Sequence, residues 1–302
     1  MLSYAAKTDL GNQRSNNEDY YLARPELGLW IMADGVGGQD AGEVASKIVC
    51  GVIQSEIKAG ASLEDAINMA HQAVKASPAE GVGRVGMAST VVALQVHGKD
   101  FQVSWVGDSR AYLWSDDQLT QLSHDQSLVQ RLLDERVITA EQAQNHPRRN
   151  LVMQALGQQN LDAVEVESAR GQFNEKDVIL LCSDGLSDYV SDEKIIQILR
   201  STSDENALVD ALVAAALATE GKDNITVLAI NMRPHKVEVT GQMKAIQAKD
   251  DTRAGVLKTA ELSLDKGEVE NSQSSSLNIY LLWAALSVVA GFSAWWFLGG
   301  GI

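Results

Sequence analysis

The chain has 302 residues, 45% of them apolar and 22% charged, with 25 Lys and Arg against 40 Asp and Glu and a formal net charge of −15. This composition excludes a disordered or collagen-like chain and leaves one large domain or two small ones. So acidic a chain repels a nucleic-acid backbone, and no basic stripe offsets it, which excludes nucleic acid as a partner. Two cysteines, Cys50 and Cys182, without a CxxC motif, exclude a disulfide framework and favour a reducing compartment.

The opening MLSYAAKTDLGNQRSNNEDYY turns polar too early for a signal peptide. Residues 29–33 (LWIMA) form an apolar strand that ends in the turn DGVGG. Val44, Ile48, Val49, Val52, Ile53 and Ile57 then recur at helical spacing, so 41–58 is predicted helical, with Cys50 on its apolar side. A second helix fits 62–77, started by Ser62 with an acidic first turn. Strand patterns follow at 89–98, 100–108 and 109–114, separated by short Gly and Asp turns. Residues 126–145 read as helix, Thr139 and Gln142 making a capping box. Strands resume at 163–169 and 177–185, helices at 191–200 and 204–219, and strand 224–230 closes the body. Strands joined by tight turns are antiparallel, and the helices come in pairs, so an α+β fold of antiparallel sheet with helix layers fits better than a Rossmann series.

After this body, taken as residues 1–232, hydrophobic periodicity stops. Residues 233–276 are polar and end in NSQSSS, the composition of a flexible tether. Residues 277–298 (LNIYLLWAALSVVAGFSAWWFL) are an uncharged apolar run. At about 1.5 Å per residue it is long enough to cross a bilayer, with Tyr280, Trp283, Trp295 and Trp296 suited to the interfaces. The competing assignment is a buried terminal helix. Lys258 and Lys266 precede the run and no basic residue follows it, so the expectation is a C-terminal membrane anchor with a cytoplasmic body.

The chemistry gathers at strand ends. Asp34–Gly35, Asp108, Asp184–Gly185 and Asp223 each end or follow an apolar strand or a Gly turn, and NNEDYY adds Glu18 and Asp19. One Asp-Gly is ordinarily just a turn. Several brought together would repel one another, and a divalent cation removes that conflict. Oxygen-only donors suit Mg²⁺ or Mn²⁺, and the five histidines have no ligand spacing. A carboxylate-bridged metal pair suits displacement at phosphorus, and Arg14, four residues before Glu18, is a candidate phosphate clamp, with an ordinary surface arginine as the alternative. Cys182 lacks a His partner and lies in an acidic segment, so it reads as core; GVGG lacks the lysine of a nucleotide loop.

RSNNEDYY, MADGVGGQDAGEVAS, ASTVVAL, VGDSRAYL, CSDGLSDYV and GKDNITVLAI resemble, in that order, the motif series of the PPM family, the type 2C metal-dependent protein Ser/Thr phosphatases, and most closely its short bacterial members. The resemblance covers roughly residues 3–232. It implies a four-layer αββα sandwich of two antiparallel sheets flanked by helices, and hydrolysis of phosphoserine and phosphothreonine proteins by a metal-activated water. It also implies two Mn²⁺ or Mg²⁺ ions, with a weaker third. Asp34 would bridge both metals, the Gly35 carbonyl would bind the second, and Asp184 and Asp223 would complete the first. Glu18 and Asp19 would hold metal-bound waters, Asp108 with Asp184 would serve the third ion, and Arg14 would clamp the phosphate.

Residues 124–150 match the flap beside the active site of bacterial relatives, with Arg148 and Arg149 facing either substrate or solvent. One departure is Val36, where eukaryotic members carry a His proposed as general acid. His124 is the nearest alternative, beside a metal-bound water. The expected partners are phosphorylated Ser/Thr proteins, with an opposing Ser/Thr kinase as a further candidate. The alternative from another class is a catalytically weak phosphoprotein-binding scaffold on the same fold, against which the intact Arg14, Asp34, Asp184 and Asp223 argue. A phosphatase of a sigma-factor antagonist would be expected to carry a sensor domain.

Overall fold

Side-chain alternation along the strands decides how the layers of this protein stack. The computed structural model describes residues 2–37, 41–202 and 204–231. Contacts divide the chain into Met1–Val239 and Thr240–Ile302, and every described residue lies in the first unit. The expected tether and apolar span fall outside the described residues. Among the described residues no helix is long and apolar enough to cross a membrane.

One sheet runs in the order β1 (Ser3–Asp9), β11 (Ile225–Asn231), β10 (Val178–Cys182), β7 (Arg110–Ser115) and β8 (Gln118–Gln121). The other runs β2 (Asp19–Arg24), β3 (Leu29–Val36), β5 (Val91–His97), β6 (Asp100–Val106) and β9 (Glu167–Gln172), with β4 (Ala88–Ser89) paired to the end of β3. Every strand pair is antiparallel. Along β3, Leu29, Ile31 and Ala33 face α1 (Ala41–Ala59) and α2 (Leu63–Ala76) in one core. Trp30 and Met32 face the other way, into a central layer shared with Ile179, Leu181, Leu228 and Ile230 of the opposite sheet. The outer faces of β10 and β11 pack on α6 (Asp192–Ser201) and α7 (Glu205–Leu217). The order is helix, sheet, sheet, helix, the expected α+β sandwich. A fully buried Leu or Ile side chain contributes about 1.5–3 kcal/mol, so three such cores fix the strand ends firmly.

Alternation also aims the carboxylates. Asp34 follows Trp30 and Met32 in step, and it sits opposite Asp19 in the β2–β3 register, so both emerge at one end of the central layer.

The sequence-derived elements hold within a few residues at α1, α2, α6, α7, β5, β6, β7, β10 and β11. The helix expected over 126–145 is instead two, α3 (Leu128–Asp134) and α4 (Ala140–Gln144). Thr139 caps α4 in a capping box with Gln142, so the signal that suggested helix marks a second start. The strand expected at 163–169 begins only at Glu167, because Glu165 bonds through its backbone N–H to Gln154 and through its carbonyl to Gln126 and Gln154. The sequence did not single out β1, β2, β8 or the single-turn α5 (Asp184–Ser187).

Candidate active site

Asp34 is held by its backbone. Its N–H donates to Thr90 Oγ1 (3.3 Å), and its carbonyl accepts from Thr90 N (2.8 Å) and Ser89 Oγ (3.0 Å). The residue is half-buried near the end of β3, partly open to solvent yet surrounded by protein. Burial, followed by the charges of Asp19, Asp184, Asp108 and Asp223, pushes its pKa well above the usual carboxylate range. The strand ends converge: Asp19 pairs with Asp34 in register, Ser183 beside Asp184 donates to Asp19, and Asn224 beside Asp223 accepts from Glu18 N.

Asp19 is 6% exposed, and burial raises it to about 6. Its Oδ2 accepts from Ser183 Oγ at 2.9 Å, while its buried Oδ1 has no hydrogen-bond partner among the described residues. Asp184 opens α5; burial first, then Asp108 and Asp188, push it well up, and its buried Oδ1 is likewise unpartnered. Asp108 is raised to about 7 by burial, then by Asp125 and Asp188. Glu18 Oε1 accepts from Gly42 N (3.2 Å) in the first turn of α1, and its carbonyl accepts from Gly35 N (3.1 Å) and Ser46 Oγ (2.7 Å).

The two Asp-Gly glycines are there for space. A Cβ at Gly35 would stand 2.0 Å from the Gly42 carbonyl oxygen, and one at Gly185 would stand 1.9 Å from that of Asn224. Only glycine lets these backbones approach so closely.

Arg14 lies over the cluster with its side chain 47% exposed. It donates through Nη2 to Asp223 Oδ2 at 2.7 Å and through Nε to the Lys222 carbonyl at 3.2 Å. Its pKa is raised, first by the hydrogen bond to Asp223 and then by that residue's charge, with Glu18 and Asp34 adding to it. The guanidinium is thus posted beside Asp34, its Nη2 engaged with Asp223.

A cavity of about 620 Å³ opens from Asp108 and Asp184 toward α3 and α4, lined also by Arg110, Asp125, Asp188 and Arg149. Arg149 therefore faces the cleft, and Arg148 is not among the residues lining it. His124 is committed elsewhere: its Nε2 pairs with Asp134 at 2.7 Å. Val36 is 46% exposed at the tip of β3. Sequence reasoning missed Asp188, although it lies inside the quoted segment CSDGLSDYV. It also missed the ion pair of Arg110 with Asp125, whose Nη2–Oδ2 distance is 2.6 Å.

Do these residues fit divalent cations? Among the described residues no three His, Cys, Asp or Glu side chains close around a common point by themselves. The carboxylates are nevertheless near enough to raise one another. Buried, mutually repelling carboxylates with two orphaned oxygens, beside a glycine-narrowed turn, are an all-oxygen donor set short of positive charge. That is the environment of Mg²⁺ or Mn²⁺.

A family model described as Protein phosphatase 2C matches residues 11–220. The chain belongs to that family. The serine/threonine protein phosphatase PstP of Mycobacterium tuberculosis is 38% identical over 235 residues, covering 76% of this chain but 44% of the relative, so the chain matches less than half of that protein. The serine/threonine phosphatase stp of Listeria innocua is 33% identical over 237 residues, covering 74% of this chain and 93% of the relative. A crystal structure of the PstP catalytic domain with two manganese ions aligns at TM-score 0.68 and 36% identity, over 76% of this chain and 97% of that one. Membership of the phosphatase 2C family accounts for the two antiparallel sheets flanked by helices.

Proposed function

We propose that this protein is a metal-dependent serine/threonine protein phosphatase. The observation that carries the reading is the convergence of Asp19, Asp34, Asp108, Asp184 and Asp223 into one charge-repelled cluster beneath Arg14. Asp34, the Gly35 carbonyl, Asp184 and Asp223 would hold two Mn²⁺ or Mg²⁺ ions. Asp108 with Asp184 would hold a weaker third ion, and Glu18 and Asp19 would order the surrounding waters. Bound there, the ions would supply an acidified water and neutralise charge on the phosphoryl group.

The protein's own groups do the rest. The half-exposed guanidinium of Arg14 is a planar fork of the kind that matches two phosphoryl oxygens, and Asp223 and the Lys222 carbonyl hold its Nη2 and Nε beside Glu18 and Asp34. Asp34, anchored three times through its backbone, keeps its carboxyl fixed during in-line attack, in which a water–phosphorus bond forms as the serine or threonine ester bond breaks. The cavity beside Asp108 and Asp184 accepts the peptide around the phosphorylated residue.

The test is phosphate release by the full chain from a phosphothreonine peptide with Mn²⁺, with Mg²⁺ and with EDTA. Release in either metal and none in EDTA supports the reading; no release from folded protein in any metal refutes it. We also propose that residues 277–298 tether the enzyme to the cytoplasmic face of a membrane, where an opposing Ser/Thr kinase and its substrates are candidate partners. The apolar run itself supports this. The full chain should float with phosphatidylcholine vesicles and a chain ending at residue 276 should not; equal flotation of the two would overturn it.

A further inference from the structure

The flap and the metal-side carboxylates are joined through one side chain. Residues 127–153, which carry α3 and α4, leave and rejoin the body side by side. Ser127 bridges Val152, Leu128 N donates to the Leu151 carbonyl (2.9 Å), and Met153 N donates to the Gln126 carbonyl (2.7 Å). Gln126 stands at this neck. Its backbone N–H donates to the Gly107 carbonyl at 2.9 Å, and its Oε1 accepts from Gly107 N at 2.8 Å, a two-point clamp on the residue before Asp108. The same amide donates to Glu167 Oε1 (2.9 Å) and the Glu165 carbonyl (3.2 Å), and it accepts from Gln154 Nε2 (2.9 Å).

The clamped turn has little room to yield. Gly107 has φ +104°, and a Cβ there would stand 2.7 Å from Thr90 Cβ. Beyond Asp108, Ser109 Oγ lies 2.7 Å from Thr90 Oγ1, the atom that also accepts from Asp34 N. Arg110, next in the chain, is forked onto Asp125, the residue before Gln126. Both sides of Asp108 are thus tied to the neck of the flap, and the far side of the turn is tied to Asp34.

We propose that Gln126 is a positioning residue that makes flap and Asp108 move as one body, so that a displacement of α3 and α4 reaches the carboxylate cluster. Its consequence for catalysis rests on the phosphatase reading; the tie itself does not. Leucine has the size of glutamine and neither of its hydrogen-bonding groups, so Gln126→Leu leaves Gly107 N without its acceptor. Gln154→Leu removes a neighbouring hydrogen bond of the same amide while leaving the Gly107 clamp in place.

Two readouts on the full chain decide the matter. In amide hydrogen exchange, Gln126→Leu should speed exchange at Gly107 at least tenfold and Gln154→Leu should not; equal protection in both variants overturns the tie whether or not the protein is an enzyme. In phosphothreonine-peptide turnover, Gln126→Leu should lower kcat about tenfold, have no more than a twofold effect on an Asp108→Asn background, and exceed any effect of Gln154→Leu. Losses that multiply with Asp108→Asn, or equal losses in the two leucine variants, would reduce Gln126 to a structural role. If Gln126→Leu does not fold, Gln126→Glu paired with Glu167→Gln, which keeps an acceptor for Gly107 N and reverses the amide–carboxylate contact at 2.9 Å, should hold kcat within threefold; a tenfold loss there overturns the proposal. A wild type that releases no phosphate refutes the phosphatase reading, and the exchange result still judges the tie.

Discussion

Replacing Gly35 by alanine strikes the closest backbone approach around Asp34. The added Cβ would lie 2.0 Å from the Gly42 carbonyl oxygen and 2.8 Å from that of Glu18, whereas an ordinary contact is 3.4 Å or more. The tip of β3 and the first turn of α1 must therefore separate by more than 1 Å. That movement strains the Gly35 N to Glu18 O and Gly42 N to Glu18 Oε1 hydrogen bonds, at 3.1 and 3.2 Å. Overpacking of this kind costs about 1–3 kcal/mol and each of the two weakened hydrogen bonds about 1 kcal/mol, so about 3–5 kcal/mol of stability should be lost. The Gly35 carbonyl moves with the chain, and Mn²⁺ affinity should fall at least tenfold. Gly51 is the control: it lies within α1 on the exposed side, and a Cβ there meets nothing within 4 Å. Gly51→Ala should stabilise by about 0.5–1 kcal/mol with unchanged Mn²⁺ binding. Urea unfolding with and without Mn²⁺, together with calorimetric Mn²⁺ titration, measures both. A Gly35→Ala protein within 0.5 kcal/mol of wild type that binds Mn²⁺ equally well would refute the packing argument.

Three further outcomes follow from the charge cluster. Asp19 at about 6 and Asp108 at about 7 both lie above their unfolded values, so the folded state binds more protons than the unfolded one across pH 4–7. The metal-free protein should therefore lose thermal stability as pH rises through that window, and saturating Mn²⁺ should flatten the trend; a metal-free melting temperature that climbs from pH 5 to 8 would contradict this. Asp184→Asn removes one repelling charge, so it should raise the metal-free melting temperature while shrinking the increment Mn²⁺ adds, as calorimetry would read. Arg14→Lys keeps the charge but loses the fork: kcat/KM on a phosphothreonine peptide should fall about 10- to 100-fold, while calorimetric Mn²⁺ affinity changes by less than threefold.

What was legible beforehand follows from which signals are local. The apolar runs before Asp34 and Asp184 were readable because strands buried on both faces are apolar at nearly every position, and their terminal Asp stands out against that background. The edge strands β1 and β2, SYAAKTD and DYYLAR, are short and mix their apolar residues with charges, so no clean alternation announced them. The break at Thr139 was present in the capping box but was absorbed into a longer helix, because a cap within an amphipathic stretch has the same spacing as a continuation. Asp19, Asp34, Asp108, Asp184 and Asp223 could be singled out from the sequence as one acidic group. Their mutual repulsion and the orphaned oxygens of Asp19 and Asp184 depend on contacts between separate strands, and the ion pair of Arg14 with Asp223 joins opposite ends of the domain, none of which a local pattern shows. Gln126 was invisible for the same reason: its meaning lies in Gly107, and nothing in HDQS distinguishes it from any polar loop residue.

The most direct test of the central claim pairs two titrations on the full chain, wild type and Asp34→Asn: Mn²⁺ binding by calorimetry and phosphate release from a phosphothreonine peptide at each Mn²⁺ concentration. Wild-type release should rise with occupancy of at least two Mn²⁺ ions and vanish in EDTA, while folded Asp34→Asn should lose both tight binding and turnover. Wild-type release that persists without metal, or an Asp34→Asn protein that binds Mn²⁺ and turns over like wild type, would contradict it.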